Sequence, residues 1–300
     1  MLSLRDLRII ERTSTFALRA WGFQSRWIET TEGRLHALVR GGSRPTPPIV
    51  LLHGLVASAA DYFPLLQRLA GRGYTLVAPD LPGHGLSPVP ARGMRADVLS
   101  GALTEALDQV LDQPAVVFGN SMGGFAAVRL ATTRPDLVGG LFLASPGGAP
   151  LTEPELSKFL ARFRIRDPAT ARRFLHDTQA RPSFVPSFVA WTVVERFSRP
   201  EIRELLAGMH SSDLLTAEEL GSLRQPTVVM WGRKERILTP LQREFFRTNL
   251  PDHAVFEEPP GLGHAPFMDD PSYVVGRFLK FVDTCTPLEQ GSHSLTAAPA

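Results

Sequence analysis

Short runs of consecutive apolar residues recur along the chain at 49–52, 74–78, 115–118 and 138–144, and again after a long gap at 226–231 and 254–257. Runs of this length, rich in Val and Leu and without apolar–polar alternation, predict strands buried on both faces, as in a parallel sheet. Between them, apolar residues at helical spacing predict helices over 61–70, 95–111, 121–133, 241–248 and 273–282. Strands and helices in alternation predict an α/β fold with a mostly parallel central sheet flanked by helices. Ahead of the first run, residues 26–29 and 35–39 flank the turn-like Thr31-Glu32-Gly33, which predicts an antiparallel hairpin opening the sheet.

The alternation stops after Ser145-Pro146-Gly147-Gly148. From 151 to 224 the pattern is helical, broken by Pro154, Pro168, Pro182, Pro186 and Pro200, with no convincing strand. This stretch is expected to be an inserted helical cap above the carboxyl ends of the strands. Its aromatic residues include Phe159, Phe163, Phe188 and Trp191. Some of them must pack the cap on the body, and the set as a whole is expected to line an apolar substrate pocket. The expected organisation is thus an N-terminal helical extension over 1–25, a core over 26–150 and 225–285, the cap over 151–224, and a disordered polar tail over 286–300.

Leu7, Ile10, Ala17 and Trp21 fall at roughly helical intervals, and two readings follow: a helix packed on the body, or a weak membrane-surface contact. Ser14 and the acidic residues interrupt the apolar face and favour the first. Arg5, Asp6, Arg8, Glu11 and Arg12 break any secretory-signal pattern, and no apolar run reaches membrane-spanning length, so a cytoplasmic protein is expected.

Composition changes this picture little. The 300 residues, 43% hydrophobic, suffice for one large core. The net charge of +2 comes from a scattered excess of arginine with no aromatic-and-basic cluster, so nucleic acid is not an expected partner. A single cysteine, Cys285, excludes an internal disulfide and a cysteine metal cluster, and the eight histidines lack close pair spacing. Neither a metal nor an organic cofactor is expected.

The chemistry concentrates at Gly119-Asn120-Ser121-Met122-Gly123. A β-branched run enters this Gly-x-Ser-x-Gly turn and an Ala-rich helical stretch leaves it. A serine in a strained strand-to-helix turn needs small neighbours, and its hydroxyl then sits at a helix N-terminus, where N–H groups and the dipole favour an oxyanion. A glycine-rich turn with an N-capping serine is the plain alternative. The flanking strand and helix favour Ser121 as a nucleophile.

With Leu52-His53-Gly54, Asp80-Leu81-Pro82-Gly83-His84-Gly85, Trp231-Gly232-Arg233-Lys234-Glu235 and Gly263-His264 in the same order, the chain resembles the α/β-hydrolase superfamily over residues 26–283. The resemblance implies the α/β-hydrolase fold, with His264 as general base and Glu235, where Asp is commoner, as its supporting acid. It implies an oxyanion hole from the N–H groups of Leu55 and Met122, although the chain continues Val56-Ala57-Ser58 where many relatives have more glycines. His53, Gly54 and Asn120 are placed beside the substrate, His53 as an orienting group. Asp80 and His84 are read as a mutually hydrogen-bonded loop. Taken singly, Glu235 could be an exposed residue between Lys234 and Arg236, and His264 a surface loop histidine.

The expected function is hydrolysis of a small carboxylic ester with an apolar acyl or alcohol part, through an acyl-enzyme, by an esterase or lipase-like Ser-Glu-His set. Two alternatives stand. Gly119 to Gly124 and Pro146-Gly147-Gly148 resemble carbon–carbon hydrolases of ring-cleavage diketones, although His264 is followed by Ala265-Pro266 rather than the tryptophan usual there. A non-catalytic ligand-binding member of the fold is the other. Oligomeric state is left open.

Overall fold

In a strand covered on both faces, successive side chains feed opposite layers. Strand β5 (Ala115–Ser121) does so: Val116 and Phe118 join one core cluster, Ala115 and Val117 the other. The computed structural model describes residues 13, 15–181 and 183–286; the expectations for 1–12 and 287–300, including most of the N-terminal helix, lie outside the described residues.

The elements run β1 (Gln24–Thr30), β2 (Gly33–Arg40), β3 (Ile49–Leu52), α1 (Phe63–Ala70), β4 (Leu76–Pro79), α2 (Ala96–Asp108), β5, α3 (Met122–Thr133) and β6 (Val138–Pro146). There follow α4 (Glu153–Leu160), α5 (Pro168–Thr178), α6 (Ser187–Ser198), α7 (Pro200–Ala207) and α8 (Ala217–Gly221). The chain closes with β7 (Thr227–Met230), α9 (Pro240–Asn249), β8 (Val255–Glu257), the short α10 (Pro266–Asp269) and α11 (Pro271–Cys285). The hairpin is longer than expected because β1 is an edge strand on which only Ile28 is buried, so its ends carry no apolar signal.

The eight-stranded sheet has the order β1-β2-β4-β3-β5-β6-β7-β8, antiparallel at β1/β2 and β2/β4 and parallel elsewhere. On one face α1 and α11 cover the sheet through an aromatic stack in which Phe118 lies 5.5 Å from Phe142 and 5.4 Å from Phe278. On the other, Leu103 and Leu107 of α2, Val128 and Leu130 of α3 and Phe246 of α9 do the same. From β3 the chain steps outward to β4 and then returns to place β5 on the other side of β3. Such a reversal opens a crevice at the carboxyl ends of the strands, and β5 delivers Ser121 there.

Helices α4 to α8 form an insertion between β6 and β7 with its own apolar core of Phe163, Ala171, Ala190, Val194, Phe197 and Ile202. Leu55 and Val56, after β3, and Ile237, after β7, pack on this core. The insertion is therefore seated on loops that follow the carboxyl ends of the sheet.

Candidate active site

Ser121 ends β5 and caps α3 at φ 54°, ψ −119°. A non-glycine residue with such angles is strained, and the strain persists only where its surroundings enforce it. The two glycines of the motif do so by close approach. A Cβ on Gly119 would meet the carbonyl oxygen of Gly123 at 2.5 Å, and one on Gly123 would meet that of Leu52 at 1.9 Å. The start of α3 is thus pressed against the end of β3. Among the described residues the only other non-glycine residues with positive φ are Val56 (55°) and Ser145 (41°), in the segments that end β3 and β6 on either side of β5. Among the described residues, non-glycine backbone strain gathers in the segments around Ser121. Sequence patterns gave no sign of the other two, since a β-branched valine is a poor candidate for this region.

Gly54 faces the serine: a Cβ there would lie 3.3 Å from Ser121 Cβ. The loop is held by His53, which is 1% exposed. Its Nε2 accepts from the Leu81 N–H (2.9 Å), so Nδ1 carries the proton and donates to Gly54 O (2.8 Å). Burial lowers the His53 pKa and keeps it neutral in this role. Leu55 follows in the half-buried turn under the insertion, and Met122 opens α3, where the N–H groups have no intrahelical partner.

Glu235, in the turn after β7, and His264, after β8, meet with Nδ1 and Oε2 2.7 Å apart. Side-chain exposure is 5% for Glu235 and 8% for His264. The second carboxylate oxygen of Glu235 accepts from Ile237 N (2.6 Å) and Leu238 N (3.0 Å). Burial works to raise its pKa, but the charge and hydrogen bond of His264 and the two backbone N–H donors prevail and hold it below the ordinary carboxylate value. An ionised Glu235 accepts, so the His264 proton sits on Nδ1 and Nε2 is left basic.

Asn120 is buried, and its amide donates to both Ala144 O and His264 O at 2.8 Å. It ties the histidine loop to the strand that carries Ser121 instead of lining a pocket. The same loop is tied to the insertion. Ala265 N donates to Thr178 O (2.8 Å), and Asp269 accepts from Gly263 N and Ala180 N, both at 2.7 Å. Gly263 permits this contact, because a Cβ there would lie 2.7 Å from Ala180 N.

Four sequence expectations are corrected. Asp80 and His84 are not bonded to each other: Asp80 pairs with His36 Nδ1 (2.8 Å) and accepts from Ala59 N and Leu86 N, while His84 Nδ1 pairs with Pro82 O. Strand β2 brings His36 to the end of β4, a juxtaposition that sequence distance hides. Asn120 spends its amide N–H groups on the scaffold, and His53 does the same with its ring nitrogens, in keeping with the orienting role expected of it. Phe163 belongs to the insertion's core, its ring stacked on Phe197. Phe188 is 65% exposed; α6 is apolar on several sides, so spacing alone does not say which side turns inward. Phe159 and Trp191 stay partly buried against the insertion's core. A half-open cavity of about 850 Å³ between α2, α3 and the insertion has Met122, Leu81, Phe125, Leu103 and Leu205 in its wall, while Ser121 and His264 do not line it.

A family profile described as the alpha/beta hydrolase family matches residues 49–277. The chain is 30% identical over 261 residues to a pimeloyl-[acyl-carrier protein] methyl ester esterase of Stenotrophomonas maltophilia, covering 82% of this chain and 96% of that protein. It is 29% identical over 241 residues to a 2-hydroxy-6-oxononadienedioate/2-hydroxy-6-oxononatrienedioate hydrolase of Paraburkholderia phymatum, covering 71% of this chain and 80% of that one. In structure it is similar to carboxylesterase CesB of Bacillus subtilis, with a TM-score of 0.75 at 20% identity over 92% of this chain and 98% of the other. The motifs, the sheet with its crevice and these likenesses agree: the chain belongs to the alpha/beta hydrolase family.

Proposed function

We propose that this hydrolase cleaves carboxylic esters with an apolar acyl or alcohol part, with Ser121, His264 and Glu235 as its catalytic residues. The observation that carries the reading is the buried Glu235–His264 pair, held by Asn120 to the strand that presents the strained Ser121. Ser121 Oγ bonds to the ester carbonyl carbon as its proton passes to His264 Nε2. Glu235 stabilises the imidazolium, and the Leu55 and Met122 N–H groups receive the negative oxygen. Collapse of the intermediate breaks the bond to the alcohol oxygen, which takes the proton from His264. Water, deprotonated by His264, then releases the acid and restores Ser121. The apolar part of the cavity wall beside Met122, the residue after Ser121, supports an apolar substrate.

The test is hydrolysis of p-nitrophenyl esters from acetate to palmitate, beside labelling by a fluorophosphonate. Labelling of Ser121 together with ester turnover is expected. Labelling without turnover of any ester would favour the carbon–carbon reading, which the likeness to the Paraburkholderia phymatum hydrolase supports. Absence of both labelling and turnover would sink the nucleophile itself.

A further inference from the structure

The end of α5 is fixed against the histidine loop, and the chain leaving that seam carries bare aromatic surface. Phe184 stands four residues beyond Ala180, within about 14 Å by the reach of an extended chain. It is 90% exposed, and Phe188, in the first turn of α6, is 65% exposed. Trp191, one turn further on, is half-buried. Across the seam, Met268 is 50% exposed and precedes Asp269, whose carboxylate holds Ala180 N. Exposed apolar side chains thus occur on both sides of the seam beside His264.

Basic groups flank it. Arg172 donates to Ser187 Oγ (3.0 Å), which sets its guanidinium beside Phe188, and exposed Arg181 precedes Phe184. Residues 158–181 hold seven Lys or Arg against two carboxylates, Asp167 and Asp177. Asp177 lies toward Arg236 on the body, and Asp167 caps α5 at its far end.

We propose that this face docks on an anionic lipid surface, with Phe184 and Phe188 entering the acyl boundary and Arg172 and Arg181 meeting lipid phosphates. Large apolar side chains this exposed gain by leaving water. Side chains this exposed suit a fluid apolar medium, and arginine can keep its charge at the headgroups while its stem lies along the apolar layer. Docked in this way, the seam beside His264 turns toward the lipid. The inference goes beyond the ester reading and is tested without turnover.

The full chain is floated with vesicles of phosphatidylcholine alone or mixed with phosphatidylglycerol, at low and high salt. Binding to the phosphatidylglycerol vesicles, weakened by salt, is expected. F184S/F188S should weaken it about a hundredfold, tenfold per phenylalanine, with an unchanged melting temperature. Arg181→Gln should weaken it about fivefold and flatten the salt dependence. Equal flotation of wild type and F184S/F188S, or none on either vesicle, overturns the proposal. So does a dimer, seen by sedimentation, that F184S/F188S dissolves in the absence of vesicle binding: the patch would then meet a second copy.

Discussion

Among the described residues lie two histidine–carboxylate pairs, alike in distance and unlike in surroundings. His264 meets Glu235 at 2.7 Å, and His36 meets Asp80 at 2.8 Å, each through Nδ1 and each buried. The second pair even has a serine: Ser25 Oγ bonds His36 Nε2, completing a Ser–His–Asp chain. Yet Ser25 sits within the regular edge strand β1, paired opposite Leu38, at no helix N-terminus. Asp80 spends its other bonds on Ala59 N and Leu86 N, and His36 N donates to Ser87 Oγ. Connectivity of three side chains therefore does not distinguish a reactive site from a structural clamp. On the proposed reading, what sets the Ser121 site apart is its strained backbone, the helix start behind it and the glycine that faces it.

Four measurements sharpen the contrast, and the largest effect comes first. Ser121→Ala should lower kcat/KM on p-nitrophenyl butyrate by about four orders of magnitude or more, whereas Ser25→Ala should leave it within about twofold. A loss in Ser25→Ala comparable to that in Ser121→Ala would exchange the roles of the two sites. Glu235→Gln keeps the shape of the side chain but removes the charge that sets the His264 tautomer, and kcat should fall about a thousandfold. Asp80→Asn should instead act on folding. Removing one charge from a buried pair costs about 3 kcal/mol, read by urea unfolding, while kcat of the folded protein stays near wild type.

The smallest effect concerns His84, which burial, helped by His53, pushes down to about 3. Its folded pKa lies below the unfolded value, so the unfolded chain takes up the proton first. The stability this gives is full above about pH 6.5 and is lost as pH falls toward 3. His84→Asn should reduce the acid slope of the unfolding free energy by at most about 1.4 kcal/mol per pH unit. An unchanged slope between pH 6 and 4 would mean that His84 is already protonated in the folded protein.

The sheet and Ser121 were legible because their signals are local. β5 is an apolar run of four residues entering a turn whose two glycines are required by contacts at 2.5 and 1.9 Å, and such a requirement appears in the sequence as a glycine on either side of the serine. His264 and Glu235 could be placed only through the order of motifs, because 29 residues separate them and the parallel β7/β8 pair brings them together. The Asp80–His36 bond, spanning 44 residues, had no such guide. Nor did the strain at Val56 and Ser145, which the packing of neighbouring loops imposes on residues that would not choose it. The aromatic residues of the insertion were ambiguous for a further reason. Apolar character at helical spacing reports that a residue is buried against something, and Phe188 lies where there is nothing to be buried against.

The seam formed by Thr178, Ala180 and Asp269 has a consequence for selectivity. With Ala265 bonded directly to the insertion and Gly263 joined to it through Asp269, the insertion cannot lift at that end without loosening the residues on both sides of His264. A bulky ester that props it open would still be bound by the apolar wall, but it would meet a misaligned base. On the proposed mechanism, discrimination by size would then be registered in turnover number and not in apparent affinity, so that the enzyme rejects poor substrates by holding them unproductively.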